Sequence, residues 1–181
     1  SIELITLTHS MPEPNACVVR SPLGTIFHTG DWKFDPDPVV GLASDLGALK
    51  ILGDEGVLAA IGDSTNAFVS GISGSEAPIF NNLSEMISKC TGRVAVACFA
   101  SNVARLKTIY DAASTNGRAV CLVGRSLWRI NAAARQTGYL ADLPAFIEAE
   151  DADDIPKDQV LYLCTGSQGE PRAALSRIAA N

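Results

Sequence analysis

The stretch "RAVCLVGRSLWRINAAARQTG" (118–138) decides the fold. An apolar run of strand length passes through the small turn "GRS" into a segment of helical spacing that stops at Gly138. The same design stands on either side. "RVAVACF" (93–99) leads through "ASN" into "VARLKTIYDAASTNG", closed by Gly117, and "QVLYLC" (159–164) leads through "TGSQGEP" into "RAALSRIAA". Strand, small turn and helix, three times over, predict a parallel sheet with helices packed on it. Right-handed crossovers would bring the three turns to one edge, outside the carboxyl ends of the strands.

Toward the N-terminus the pattern changes. "IELITL", "ACVVRS" and "GTIFHTGD" read as short strands, the last two joined by the hairpin turn "SPLG" (21–24). "DLGALKILGDEG" (45–56) reads as a helix ending at Gly53 or Gly56, and "VLAAIGD" (57–63) as a strand ending at Asp63. The Gly/Ser-rich stretch "STNAFVSGISGSEAP" (64–78) is the best candidate for a boundary. After it, "PIFNNLSEMISKC" has Phe80, Leu83 and Ile87 on one helical face. The expected class is α/β.

Charge is unevenly spread. The chain of 181 residues carries −6 overall, yet residues 89–135 hold eight basic groups against the single acid Asp111. Residues 142–158 hold seven acids against Lys157. The basic stretch covers two of the three turns, where Ser101, Arg125 and Ser126 lie at or beside expected helix starts; Ser167 holds the same place in the third turn. A helix start offers unpaired N–H groups and partial positive charge, and an arginine can grip a phosphate with two parallel bonds. For one turn, ordinary capping is the simpler reading; three turns at one edge favour an anion site. No GxxxxGK[ST] occurs, and no GxGxxG follows a strand.

Five cysteines, none in a CxxC pair, read as buried thiols of a reducing cytosol, so a cytoplasmic location is expected. No apolar run is long enough to cross a membrane, and no membrane role is expected. There are two histidines. His9, Asp31 and Asp63 each follow an expected strand and could meet at one sheet edge, where imidazole and carboxylate suit Zn²⁺ or Mn²⁺. A lone histidine is more often structural, and one histidine with one carboxylate falls short of the three protein ligands of a catalytic zinc site.

Five blocks together resemble the bacterial ribonuclease J family. They are "THSMPEPNACVVRSPLGTIFHTGDWKFDPDPV" (8–39), "GDSTNA" (62–67), "CFASNVARL" (98–106), "VGRSL" (123–127) and "CTGSQGEPRAALSRIA" (164–179), and they run in order from Thr8 onward. That family consists of RNA-cleaving enzymes of metallo-β-lactamase fold with an inserted β-CASP domain. The resemblance implies part of a metallo-β-lactamase domain over 1–66 and most of a β-CASP domain over 67–181. By position, His9 matches a histidine metal ligand and Asp31 the carboxylate that bridges two zinc ions. Asp63 matches the first acidic motif of the insertion, which supports the catalytic site, while His28 falls on a position that is not a direct ligand. Ser101, Asn102, Arg125, Ser126, Ser167 and Gln168 fall on the β-CASP side of the RNA channel.

The implied parent is a metal-dependent 5′→3′ exoribonuclease and endoribonuclease of RNA processing and decay. It would carry two Zn²⁺, or Mn²⁺, act on single-stranded RNA and form a homo-oligomer. The family's His-x-His-x-Asp-His motif and its later histidines are absent from these 181 residues. An internal piece without nuclease activity or a tight dinuclear site is therefore expected. Two other classes stay open: a hydrolase of the same fold acting on a small molecule, and a non-catalytic RNA- or phosphate-binding α/β module.

Overall fold

A computed structural model describes residues 1–180. The chain divides into two compact units, Ser1–Ser75 and a second beginning at Glu76.

The first unit holds β1 (Ile2–Thr6), β2 (Asn15–Ser21), β3 (Gly24–His28), the helix α1 (Leu46–Glu55) and β4 (Ala59–Ile61). The strands form one sheet in the order β1-β2-β3-β4. The first two pairings are antiparallel, with Ser21 opposite Gly24 at the expected hairpin turn, and β3 pairs with β4 in parallel. Alternation of side chains puts Ile5, Ala16, Val18 and Phe27 on one face. There they pack with Leu7, Trp32 and Leu49 and Leu52 of α1. Asp45 starts that helix, its side chain accepting from the Ala48 N–H at 2.8 Å. The expected strand 57–63 shortens to three exposed residues, because β4 contributes nothing buried to the core.

The second unit holds α2 (Ile79–Ser88), β5 (Val94–Ala97), α3 (Val103–Thr115), β6 (Ala119–Val123), α4 (Arg125–Gln136), β7 (Val160–Cys164) and α5 (Ala174–Ala179). Its three strands form a wholly parallel sheet, ordered β5-β7-β6, flanked by helices, as the strand–turn–helix repetition predicts. The middle strand β7 is apolar throughout because neighbours cover it on both sides: Val160, Leu161, Leu163 and Cys164 are fully buried. Leu106, Ile109, Ala112 and Ala113 of α3 and Leu127 of α4 complete the core. A short segment at Ile147 adds a parallel bridge to Cys121 on β6.

Two local expectations need correction. Arg125 and Ser126, expected in the turn before the helix, occupy the first turn of α4 itself, behind the N-cap Gly124. α5 begins only at Ala174, so Ser167 and Gln168 stand apart from any helix start. The cause lies in Gly166. Its φ is +121°, and a Cβ there would come within 2.9 Å of the Leu175 side chain. The backbone must complete a tight turn before a helix can begin.

Candidate functional site

In the first unit, the loops after the strands carry the residues expected to hold metal. Asp63 lies two residues past β4 in a closed arrangement. Its Oδ1 accepts from the Thr65 N–H at 2.9 Å and the Thr65 hydroxyl at 2.5 Å. Its own N–H donates to Thr29 Oγ1 at 3.1 Å, and the Trp32 indole donates to its carbonyl at 3.3 Å. The hydrogen bonds from Thr65 hold the Asp63 carboxyl below the usual carboxylate range, with a smaller contribution from the charge of His9. Asp63 also lines a cavity of about 410 Å³ with Trp32, Phe34 and Asn66.

His9 follows the bridge between Thr8 and Lys33, and its Nδ1 lies 3.2 Å from Ser10 Oγ. Asp31 is exposed in the loop after β3 and, among the described residues, makes no hydrogen bond or ion pair. His28 has a local structural contact, its Nδ1 accepting from the Gly30 N–H at 3.0 Å. Among the described residues, no three His, Cys, Asp or Glu side chains gather closely enough to hold a metal ion. His9 and Asp31 by themselves do not fit a metal centre, which needs about three protein ligands.

In the second unit, the parallel sheet does bring the three expected turns to one edge. The Cys98–Asn102 turn follows β5, Gly124 follows β6 and the Gly166–Gly169 turn follows β7. Ser101 is exposed there, while Asn102 is occupied as the cap of α3, its Oδ1 accepting from the Arg105 N–H at 2.8 Å. Ser167 and Gln168 are exposed, and the Gln168 N–H donates to Glu170 Oε2 at 3.0 Å.

The basic stretch of the sequence divides sharply once folded. Lys89 pairs with Glu85, Arg93 with Asp153, Arg105 with Glu76 and Lys107 with Asp111 and Asp142. Arg118 is buried and donates to the carbonyls of Gly92, Val160 and Cys90 at 2.8, 3.2 and 2.6 Å, fastening the starts of the strands. Arg135 donates to the carbonyls of Leu143 and Pro144 and lies over the Phe146 ring. Among the described residues, only Arg125 and Arg129 of the eight stand without a partner. They lie one helical turn apart on α4 and line a cavity of about 740 Å³ at the carboxyl ends of β6 and β7. Ser126, Trp128, Glu148, Glu150 and Arg172 line it as well. Sequence reading missed Arg129, Glu148 and Arg172 here. The i, i+4 spacing of Arg125 and Arg129 was the available signal; nothing local marks Glu148.

The thiols are not reactive groups of this edge. Burial pushes Cys98 up to about 12 and Cys121 up to about 11, and raises Cys164 as well. Among the described residues no helix is long and apolar enough to cross a membrane.

A family model described as the β-CASP domain of ribonuclease J matches residues 91–181. The chain is 44% identical over 179 residues to a ribonuclease J of Sinorhizobium meliloti, covering 99% of this chain and 32% of that protein. It is 41% identical over 179 residues to a ribonuclease J of Thermus thermophilus, covering 99% of this chain and 31% of that protein. The chain thus spans about a third of the length of the curated relatives it matches. Among solved structures, a protein of unknown function from Enterococcus faecalis superposes with a TM-score of 0.59 at 15% identity, over 93% of this chain and 42% of that one. That likeness concerns the fold.

Proposed function

Because the chain belongs to the ribonuclease J family, its second half matching that family's β-CASP domain, we propose that it is part of a metal-dependent ribonuclease that cuts single-stranded RNA. The parent acts as a 5′→3′ exoribonuclease and as an endoribonuclease in RNA processing and decay, in the cytoplasm and as a homo-oligomer. Residues 1–66 are part of its metallo-β-lactamase domain and residues 67–181 most of its β-CASP domain.

The observation that carries this reading is the convergence of three turns at one edge of a parallel sheet, with unpartnered arginines beside them. A polyanion bound through its backbone needs such groups: exposed N–H donors, hydroxyls and guanidinium groups, with no demand on base sequence. Ser101, Asn102, Arg125, Ser126, Ser167 and Gln168 are the RNA contacts. Asn102 can donate through its amide while its oxygen caps α3.

In the parent, His9 and Asp31 are two of the ligands of a centre of two Zn²⁺ or Mn²⁺ ions. Such ions supply an activated water and charge stabilisation on the scissile phosphate. Asp63, fastened by Thr65, holds the loop that orients this centre. With only two of those ligands, the 181-residue chain alone neither cuts RNA nor binds a metal pair tightly. RNA cleavage that survives repurification, and disappears in Asp31→Ala, would overturn this statement about the chain.

RNA binding tests the other half of the proposal. The affinity of the chain for a single-stranded oligonucleotide is expected to fall with added salt and to drop in Arg125→Ala, by about tenfold for a charge-assisted phosphate contact. Binding that ignores both salt and Arg125 would remove the basis of the RNA reading.

A further inference from the structure

Three arginines carry no hydrogen bond or ion pair among the described residues: Arg125, Arg129 and Arg172. All three line the same cavity at the carboxyl ends of β6 and β7. Two carboxylates, Glu148 and Glu150, line it too, and among the described residues neither pairs with these three arginines. With Arg177, four guanidinium groups line this space, and their summed positive field favours an anion there.

The topology around the cavity indicates which anion. β6 runs through Gly124, at φ +131°, directly into α4, and the chain returns so that Ile147 lies parallel beside Cys121. The bridge is made by the Ile147 N–H donating to Val120 O at 2.9 Å and the Leu122 N–H donating to Ile147 O at 3.3 Å. The step runs from strand to helix to a single bridging residue, and Glu148 follows that residue immediately. In parallel sheets ligands lie outside the carboxyl ends of the strands. Where the ligand is a nucleotide, phosphate sits at the helix start and an acid at the end of the next strand accepts from the ribose hydroxyls. The glycine fingerprint of dinucleotide folds is missing here, and arginines stand where its backbone cradle would be.

Trp128, one turn into α4, adds a half-buried indole to the wall, a surface on which a base can stack. The volume of about 740 Å³ suits a small ligand. The two carboxylates suit the hydroxyls of a ribose turned toward them.

We propose that this cavity binds a free nucleoside 5′-diphosphate. The phosphates lie on Arg125, Arg129 and Arg172, the ribose diol on Glu148 and the base on Trp128. The assignment rests on the reading of Arg125 and Ser126 as phosphate contacts and goes beyond it in naming a mononucleotide as the ligand.

Calorimetry of the 181-residue chain with ADP tests it. Saturable binding of one ADP per chain is expected, weakened about tenfold by each of Arg129→Ala and Arg172→Ala, as loss of a charged hydrogen bond implies. ADP should bind about fivefold tighter than 2′-deoxy-ADP, a difference of the size of one hydrogen bond, and Glu148→Gln should reduce it. No ADP binding at millimolar concentration overturns the proposal, and so does pyrophosphate binding as tightly as ADP. The same preparation is tested with single-stranded RNA. Arg125-dependent RNA binding without ADP binding overturns the nucleotide site and leaves the RNA reading standing. ADP binding without RNA binding keeps the nucleotide site and overturns the RNA reading.

Discussion

Asp63 shows how one residue's surroundings set its chemistry. Two hydrogen bonds from Thr65 favour its charged form, so its pKa in the folded chain lies below the ordinary value. The stabilisation from this pairing is present at pH values above the unfolded pKa and is lost as pH falls through the lowered folded one. Carboxyl NMR titration of Asp63 is expected to move back toward the ordinary range in Thr65→Val; an unmoved pKa would count against the Thr65 contacts as the cause. Thiol chemistry separates the cysteines in the same way. Cys90 is exposed, whereas Cys98, Cys121 and Cys164 are buried with raised pKa values. At pH 7.5 iodoacetamide should modify Cys90 well before those three, which react only on unfolding; peptide mass spectrometry reads the order. Arg118 is the arginine whose loss should matter most to stability. Its three carbonyl partners would be left unsatisfied, so Arg118→Ala should cost about 2–4 kcal/mol in a denaturant titration.

Elements depend on turn chemistry as much as on apolar spacing. Gly166 and Gly169 both have positive φ, but a Cβ at Gly166 would strike Leu175 and Ala173, while the space around Gly169 is open. Gly166→Ala therefore combines backbone strain with overpacking, roughly 2–4 kcal/mol together, against about 1 kcal/mol for Gly169→Ala. Thermal unfolding of the two variants tests the order. α3 and α4 end where Gly117 and Gly138 adopt positive φ, both visible in the sequence. β4 and α5 were harder to read. β4 is short and exposed, held by pairing with β3 along three residues. α5 starts late because the turn at Gly166–Gly169 closes first, through the Gly169 N–H donating to Gly166 O at 3.1 Å.

At the scale of the whole molecule, the first sheet has one covered face and one bare one. Ile2, Leu4, Val19, Ile26 and Ile61 share the face opposite α1, and all are exposed. An apolar surface of that extent should bind a hydrophobic dye. Leu4→Thr combined with Ile26→Thr should lower the fluorescence of bound anilinonaphthalene sulfonate while changing stability by only about 0.5 kcal/mol. The charge pattern is also settled at this scale. Strand–turn–helix repetition, the antiparallel hairpin at 21–24 and the parallel class of the second sheet were determined by the sequence alone, because apolar period and turn residues act over short distances. So was membership of a family, through blocks of identity in order. Which basic residues are free was decided only by the tertiary structure. Arg105, Arg118 and Arg135 find partners 29, 26–42 and up to 9 residues away, whereas Arg125 and Arg129 meet Arg172 and Glu148 around one cavity. Charge along a chain counts groups; long-range packing selects the ones left to meet a ligand.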